Sequence, residues 1–153
     1  MTPCPWPIEA LLPHAAPMIL LDRLLAYDAG QALAEVTVRT EHPFAKPEGV
    51  PVHLAIEFMA QTCGALTGAW AKAEGTPVRV GFLLGTRNFA AAQALIPIGA
   101  HLAISVSAVV RDGQMGVFDC RVTMGDELLA EARLNVYQPD SDEAARSILT
   151  RGQ

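Results

Sequence analysis

The chain has 153 residues, 51% hydrophobic and 18% charged, with a net charge of −5. Its shortage of Lys and Arg argues against nucleic-acid binding, and no apolar run reaches membrane-spanning length without an internal acid, His or Gln. Cys4, Cys63 and Cys120 are odd in number and widely spaced, which indicates neither a disulfide framework nor a zinc site.

The length supports one domain, expected over residues 1–153, with a core at about 7–137 and a polar tail at 138–153. The high apolar fraction suggests a large buried interface and hence a homo-oligomer. A start without cationic residues or a leader-like core predicts a cytoplasmic protein.

In chain order, Pro7 to Leu12 reads as a short helical turn stopped by Pro13. Met18 to Tyr27 is a strand candidate, followed by a turn at Asp28-Ala29-Gly30. From Ala32 to Val38, apolar residues alternate with Glu35, Thr37 and Arg39, the period of a half-buried strand. Glu41 to Pro51 is a proline-rich loop. A long apolar helix is expected next, with Pro51 near its first turn and Gly75 just past its end.

The remainder reads as an antiparallel meander. Val78 to Ala90 forms a strand bent near Gly85, and Leu102, Ile104, Val106 and Ala108 share one face of the next. Asp112-Gly113 marks a hairpin. Phe118, Cys120, Val122 and Met124 line one face of the following strand. Gly125-Asp126 turns into a last strand with Leu128, Ala130, Ala132, Leu134 and Val136 inward.

The helix carries the chemistry. Val52 to Trp70 is almost wholly apolar, yet Glu57 lies inside it. Burial disfavours a charged carboxylate and raises its pKa, so a buried Glu57 is a candidate proton donor or acceptor near neutral pH. On a helix, His53, Glu57, Gln61 and Gly64 fall on one stripe facing a cavity. The structural alternative is that Glu57 pairs with a nearby Arg and Gln61 caps a backbone group.

Pro51-Val52-His53-Leu54-Ala55-Ile56-Glu57-Phe58-Met59-Ala60-Gln61 resembles the P-G-V-L-x-x-E-A-M-A-Q helix of the 3-hydroxyacyl-[acyl-carrier-protein] dehydratases. Leu12-Pro13-His14-Ala15-Ala16-Pro17-Met18-Ile19-Leu20-Leu21-Asp22-Arg23 is similar to that family's L-P-H-R-x-P-x-L-L-V-D-R opening. Gly81-Phe82-Leu83-Leu84-Gly85 resembles the strand carrying its acyl tunnel, and Ile96-Pro97-Ile98-Gly99 the P-G-D turn after it. Leu128-Leu129-Ala130-Glu131-Ala132 is similar to its last strand, so the likeness spans roughly residues 7 to 137.

The resemblance implies an α+β hotdog fold, with a long central helix wrapped by an antiparallel sheet, acting as a dimer with interfacial active sites. It implies a lyase that converts a 3-hydroxyacyl thioester to the trans-2-enoyl thioester. A His removes a proton beside the carbonyl, and Glu57 helps the 3-hydroxyl leave as water. The backbone N–H of Val52 would polarise the thioester oxygen, and Phe82 and Leu84 would line the acyl site. The implied partner is an acyl carrier protein or CoA thioester, with Lys72, Arg79 and Arg87 as candidate contacts for an acidic carrier. No metal or organic cofactor is implied.

The histidine departs from the family's H-F-P-G-x-P-x-x-P-G. Here His42-Pro43-Phe44-Ala45-Lys46-Pro47-Glu48-Gly49-Val50-Pro51 inverts the Phe-Pro order and sets His42 one residue further from Glu57. His42 is the first candidate and His14 the second. His53 sits one turn before Glu57, and His101 reads as a strand-end residue. The altered loop, with P-H-x-x-P-M-I-L-x-D and E-x-M-A-Q-T, resembles a divergent ApeP-like branch associated with polyene-type biosynthesis. In that setting a second hotdog subunit could complete the enzyme. The competing functions are a hotdog acyl thioesterase and a catalytically weak partner subunit of a heteromeric dehydratase.

Overall fold

A computed structural model describes residues 1–13, 18–42 and 44–139. His14 and the tail beyond Pro139 lie outside the described residues. The elements follow in chain order as β1 (Thr2–Pro3), α1 (Ile8–Leu11), β2 (Arg23–Tyr27), β3 (Gln31–Thr37), β4 (Val50–Pro51) and α2 (Leu54–Glu74). They continue as β5 (Phe82–Ala91), β6 (Leu95–Ile96), β7 (His101–Asp112), β8 (Met115–Met124) and β9 (Glu127–Tyr137).

Seven strands form one sheet in the order β1-β2-β3-β7-β8-β9-β5, and every pairing in it is antiparallel. Local chemistry explains the connections. Asp28 Oδ1 accepts the N–H groups of Gly30 and Gln31 at 2.9 and 2.7 Å, closing the β2–β3 turn. The β7–β8 and β8–β9 hairpins turn through Gly113 and Gly125, both at φ 61, a left-handed conformation that glycine adopts without a Cβ clash.

The helix lies against this sheet with Phe58, Met59 and Leu66 fully buried. They share one core with Val36 on β3, Ile104 on β7, Phe118 on β8 and Leu134 on β9. Burying each such side chain contributes roughly 1.5–3 kcal/mol. This is the expected hotdog arrangement, a long helix wrapped by an antiparallel sheet. The helix ends as expected at Gly75, whose left-handed backbone lets its N–H cap Ala71 and Lys72 carbonyls. On its other side α1 crosses close at Gly68, where an added Cβ would lie 2.1 Å from the Leu11 carbonyl oxygen.

Two strand boundaries and one strand face differ from the sequence expectation. The strand predicted from Met18 begins only at Arg23, because the Leu20 N–H and Met18 carbonyl bond to the Gln61 side chain. The strand predicted from Val78 begins at Phe82, with irregularities at Leu83/Gly85 and Arg87/Ala90 that supply the expected bend. Opposite Val122 and Thr123 of β8, an irregular register in β9 turns Leu129 inward (2% exposed) and leaves Leu128 outside (41%). An extra residue in one strand exchanges the faces beyond it.

Candidate active site

The site is built around the first turns of α2. The Glu41–Pro51 loop is pinned by the small β4–β6 sheet, where Val50 and Pro51 pair with Ile96 and Leu95. Gly49 makes that close approach possible, since a Cβ there would sit 2.3 Å from the Ile96 carbonyl oxygen. The chain then enters α2 at Leu54, with His53 as the N-cap residue.

This later start changes the expected backbone donor. The Val52 N–H donates to the Ala94 carbonyl at 2.9 Å, so it is engaged. Ala55 and Ile56 donate to Val52 and His53 carbonyls. The N–H groups of His53 and Leu54 have no hydrogen-bond partner among the described residues. They are the donors at the positive end of the helix dipole.

Glu57 is exposed in the single chain, which corrects the expectation of a buried acid. The sheet takes the Phe58 face, and Glu57 stands about 100° around the helix from it. The acid borders a cavity of about 190 Å³ with Ala60, Gln61, Gly64 and Thr67 on α2 and Phe82 on β5. Most of its remaining wall is apolar, from Leu12, Pro13, Leu83 and Val136. The structure therefore brings together four of the predicted residues: Glu57, Gln61, Gly64 and Phe82. Leu84 is 58% exposed and lies outside that wall, because the strand alternates and bulges there. Val52 and His53 also lie outside it, at the helix start.

Gln61 has a framework role that sequence spacing left open. Its Oε1 accepts the Leu20 N–H at 2.9 Å, and its Nε2 donates to the Met18 carbonyl at 2.7 Å. The same Nε2 approaches Glu57 Oε1 at 3.4 Å. One buried amide thus ties the opening segment to the helix and touches the acid.

His42 is half-buried, its ring 6.3 Å from that of Phe58. No hydrogen bond joins His42 to Glu57 among the described residues of one chain. Burial pushes the imidazole below the usual histidine range, and the Arg39 charge acts in the same direction against Asp22 and Glu41. The loop is held by His42 N–H donating to the Arg39 carbonyl at 3.1 Å and Ala45 N–H to the His42 carbonyl at 3.1 Å. Phe44, beside it, is 72% exposed at φ 68, an unusual backbone state for a bulky residue.

Asp22 and Arg39 complete this corner and were not among the predicted site residues. Burial raises the Asp22 pKa, but hydrogen bonds from Arg39 at 2.8 Å and the Thr37 N–H at 2.7 Å outweigh it and hold the carboxyl low. The Leu-Leu-Asp-Arg segment was the available signal, since Asp22 falls within the stretch that resembles the dehydratase opening. His101 is a strand-end residue, as expected, bonded to Glu35 and Thr37 at 3.2 Å. Cys63 and Cys120 are buried core thiols, and burial with Cys120 alongside pushes the Cys63 thiol upward. Among the described residues no group of three or more His, Cys, Asp or Glu is placed to hold a metal ion.

Comparison with known proteins identifies the family. A chain of the dehydratase heterocomplex ApeI:P from Xenorhabdus doucetiae superposes with a TM-score of 0.86 at 30% identity, covering 94% of this chain and 97% of that one. The 3-hydroxyacyl-[acyl-carrier-protein] dehydratase FabZ of Rhizobium etli (strain CIAT 652) is 29% identical over 143 residues, 90% of each protein. A hypothetical thioesterase from Streptococcus pneumoniae TIGR4, solved with coenzyme A, is 12% identical with a TM-score of 0.60 and shares the fold alone. Residues 6–148 match the ApeP-like family, described as ApeP dehydratase. The chain belongs to the ApeP-like dehydratase family.

Proposed function

We propose that this protein dehydrates 3-hydroxyacyl thioesters carried on an acyl carrier protein, using Glu57 and His42 as its acid–base pair. The observation that carries the reading is Glu57 at the edge of an apolar cavity beside the open start of α2. His42 takes the proton from the carbon next to the thioester carbonyl. The charge that moves onto the carbonyl oxygen is met by the N–H groups of His53 and Leu54. The bond from the third carbon to its hydroxyl breaks, Glu57 delivers a proton to the departing oxygen, and water leaves with the trans-2-enoyl thioester.

The pair is formed between subunits in this reading. Within one chain the His42 ring rests on Phe58, while Glu57 faces outward. Beside the cavity, β5 ends the sheet with one edge unpaired among the described residues, a ten-residue strand bearing exposed Leu83 and Leu84. Such an edge favours pairing with another strand. A second hotdog subunit there would desolvate Glu57 and supply the facing histidine. Exposed Lys72 and Arg87 give an acidic carrier cationic contacts near the helix end and β5. No helix among the described residues is long and apolar enough to cross a membrane. Three free cysteines fit a reducing, cytoplasmic setting.

The test follows the product. The purified protein is given a 3-hydroxyacyl carrier thioester, alone and with a co-encoded hotdog protein. The proposal expects ultraviolet absorbance of the enoyl thioester with no thiol release. Free thiol without enoyl product would replace it with a thioesterase. Likeness to the ApeI:P heterocomplex and the altered His42 loop favour a second arrangement, in which turnover appears only with the added subunit.

A further inference from the structure

The Glu57 cavity does not end at a wall of apolar side chains. Its far end is shared with a second, larger cavity of about 480 Å³, and Thr67, Arg79, Val136 and Gln138 line both. The second cavity continues along α2 past Trp70 and Ala71 to Glu74. Residues 57, 60, 64, 67, 71 and 74 recur at helical spacing, so both cavities follow one stripe of the helix.

What separates them is polar. Gln138 Nε2 donates to Thr67 Oγ1 at 3.2 Å and to the Arg79 carbonyl at 3.0 Å. Thr67 in turn donates to the Gly64 carbonyl at 2.9 Å, which leaves its oxygen free to accept from Gln138. The Gln138 backbone is fixed by its own N–H donating to the Gln114 carbonyl at 2.9 Å. One half-buried amide therefore bridges α2 and the segment before β5 across the junction of the two cavities.

We infer that the Gln138–Thr67–Arg79 bridge sets the acyl-chain length this enzyme accepts, closing the Glu57 cavity to chains long enough to enter the second one. The inference rests on the proposed dehydratase reading. Thr67 is ten residues beyond Glu57, about 15 Å along the helix, so with its thioester at the acid a medium-length chain ends short of the bridge and a long one meets it. A longer chain must displace an amide that has two partners, and those groups would then be left unsatisfied.

The test uses Gln138→Ala, which removes the bridge, and Thr67→Ala, which removes its acceptor at a helix position where alanine is well tolerated. Turnover of 3-hydroxyoctanoyl and 3-hydroxypalmitoyl thioesters is compared in each variant and in wild type, with the partner subunit if turnover requires it. The long-to-short ratio of kcat/KM is expected to rise in both variants, by at most about fourfold for each methylene newly buried. An independent readout is quenching of Trp70, in a Trp6→Phe background, by an unreactive long-chain acyl thioether brominated at its far end. Trp70 lines only the second cavity. Quenching in the variants well above that in wild type supports the bridge, whether or not the protein turns over substrate. An unchanged chain-length ratio, or equal quenching in all three proteins, overturns it. Absence of turnover in wild type with every thioester would instead overturn the dehydratase reading.

Discussion

The two sides of α2 follow different rules. Towards the sheet, Phe58, Met59 and Leu66 are wholly buried and owe their identity to volume and packing. On the other stripe, His53 and Glu57 are exposed and Gly64 is half-open, and no packing requirement explains an acid there. Adjacent residues such as Glu57 and Phe58 thus serve opposite ends. The difference teaches that one helix can stabilise the fold with one face and hold its reactive group clear of the core with the other.

Substitutions that separate activity from stability sharpen this contrast. His42→Ala is expected to lower turnover by about 10²–10⁴-fold, the usual contribution of a general acid–base group. Because burial lowers the His42 pKa, the neutral base persists to lower pH than for an ordinary histidine, normally near 6.5. The acid limb of kcat/KM should therefore lie below that value in wild type and vanish from the residual activity of the variant, as a pH-rate profile would show. Phe58→Ala, one residue from the acid, should instead cost about 3–5 kcal/mol in denaturant unfolding. A loss under 1 kcal/mol would break the proposed division of the helix faces.

Gln61→Leu probes the boundary between the faces. It leaves the buried Leu20 N–H without its acceptor, for a loss of about 1–3 kcal/mol by urea titration. The smallest effect belongs to Asp22→Asn. The Asp22 charge raises the His42 pKa, so its removal should move the acid limb of the rate profile to still lower pH. A shift to higher pH would contradict the electrostatic coupling of that corner.

Periodicity made most of the fold legible. Alternation in Ala32–Val38 and Leu102–Val106 fixed which side chains turn inward: Ala32, Ala34, Val36, Val38, Leu102, Ile104 and Val106 are all buried. Glycine signals marked the hairpins at Gly113 and Gly125 and the helix stop at Gly75. What escaped depended on a single bulge or a long-range bond. Leu129 replaced Leu128 in the core because one extra residue changes every face beyond it. The start of β2 moved because Gln61, forty-one residues from Leu20, captured its N–H.

For the site, helical spacing selected Glu57, Gln61 and Gly64, and motif resemblance gave Glu57 its role and added Phe82; all four border one cavity. The exposure of Glu57 escaped because an apolar helix pattern does not say which stripe the sheet leaves open. The donor at Val52 escaped because its N–H is claimed by Ala94, a contact across the chain. Asp22 and Arg39 escaped because their link to His42 is spatial, through the loop that Arg39 closes.

The central claim is that Glu57 is the proton donor to the departing hydroxyl. Its most direct test compares wild type and Glu57→Gln, in the same subunit assembly, for formation of the enoyl thioester from a 3-hydroxyacyl thioester. The substitution keeps size and alters an exposed position, so folding stability should stay within about 0.5 kcal/mol. Enoyl formation should nevertheless fall by about 10²–10⁴-fold. Turnover in Glu57→Gln equal to wild type would contradict the account.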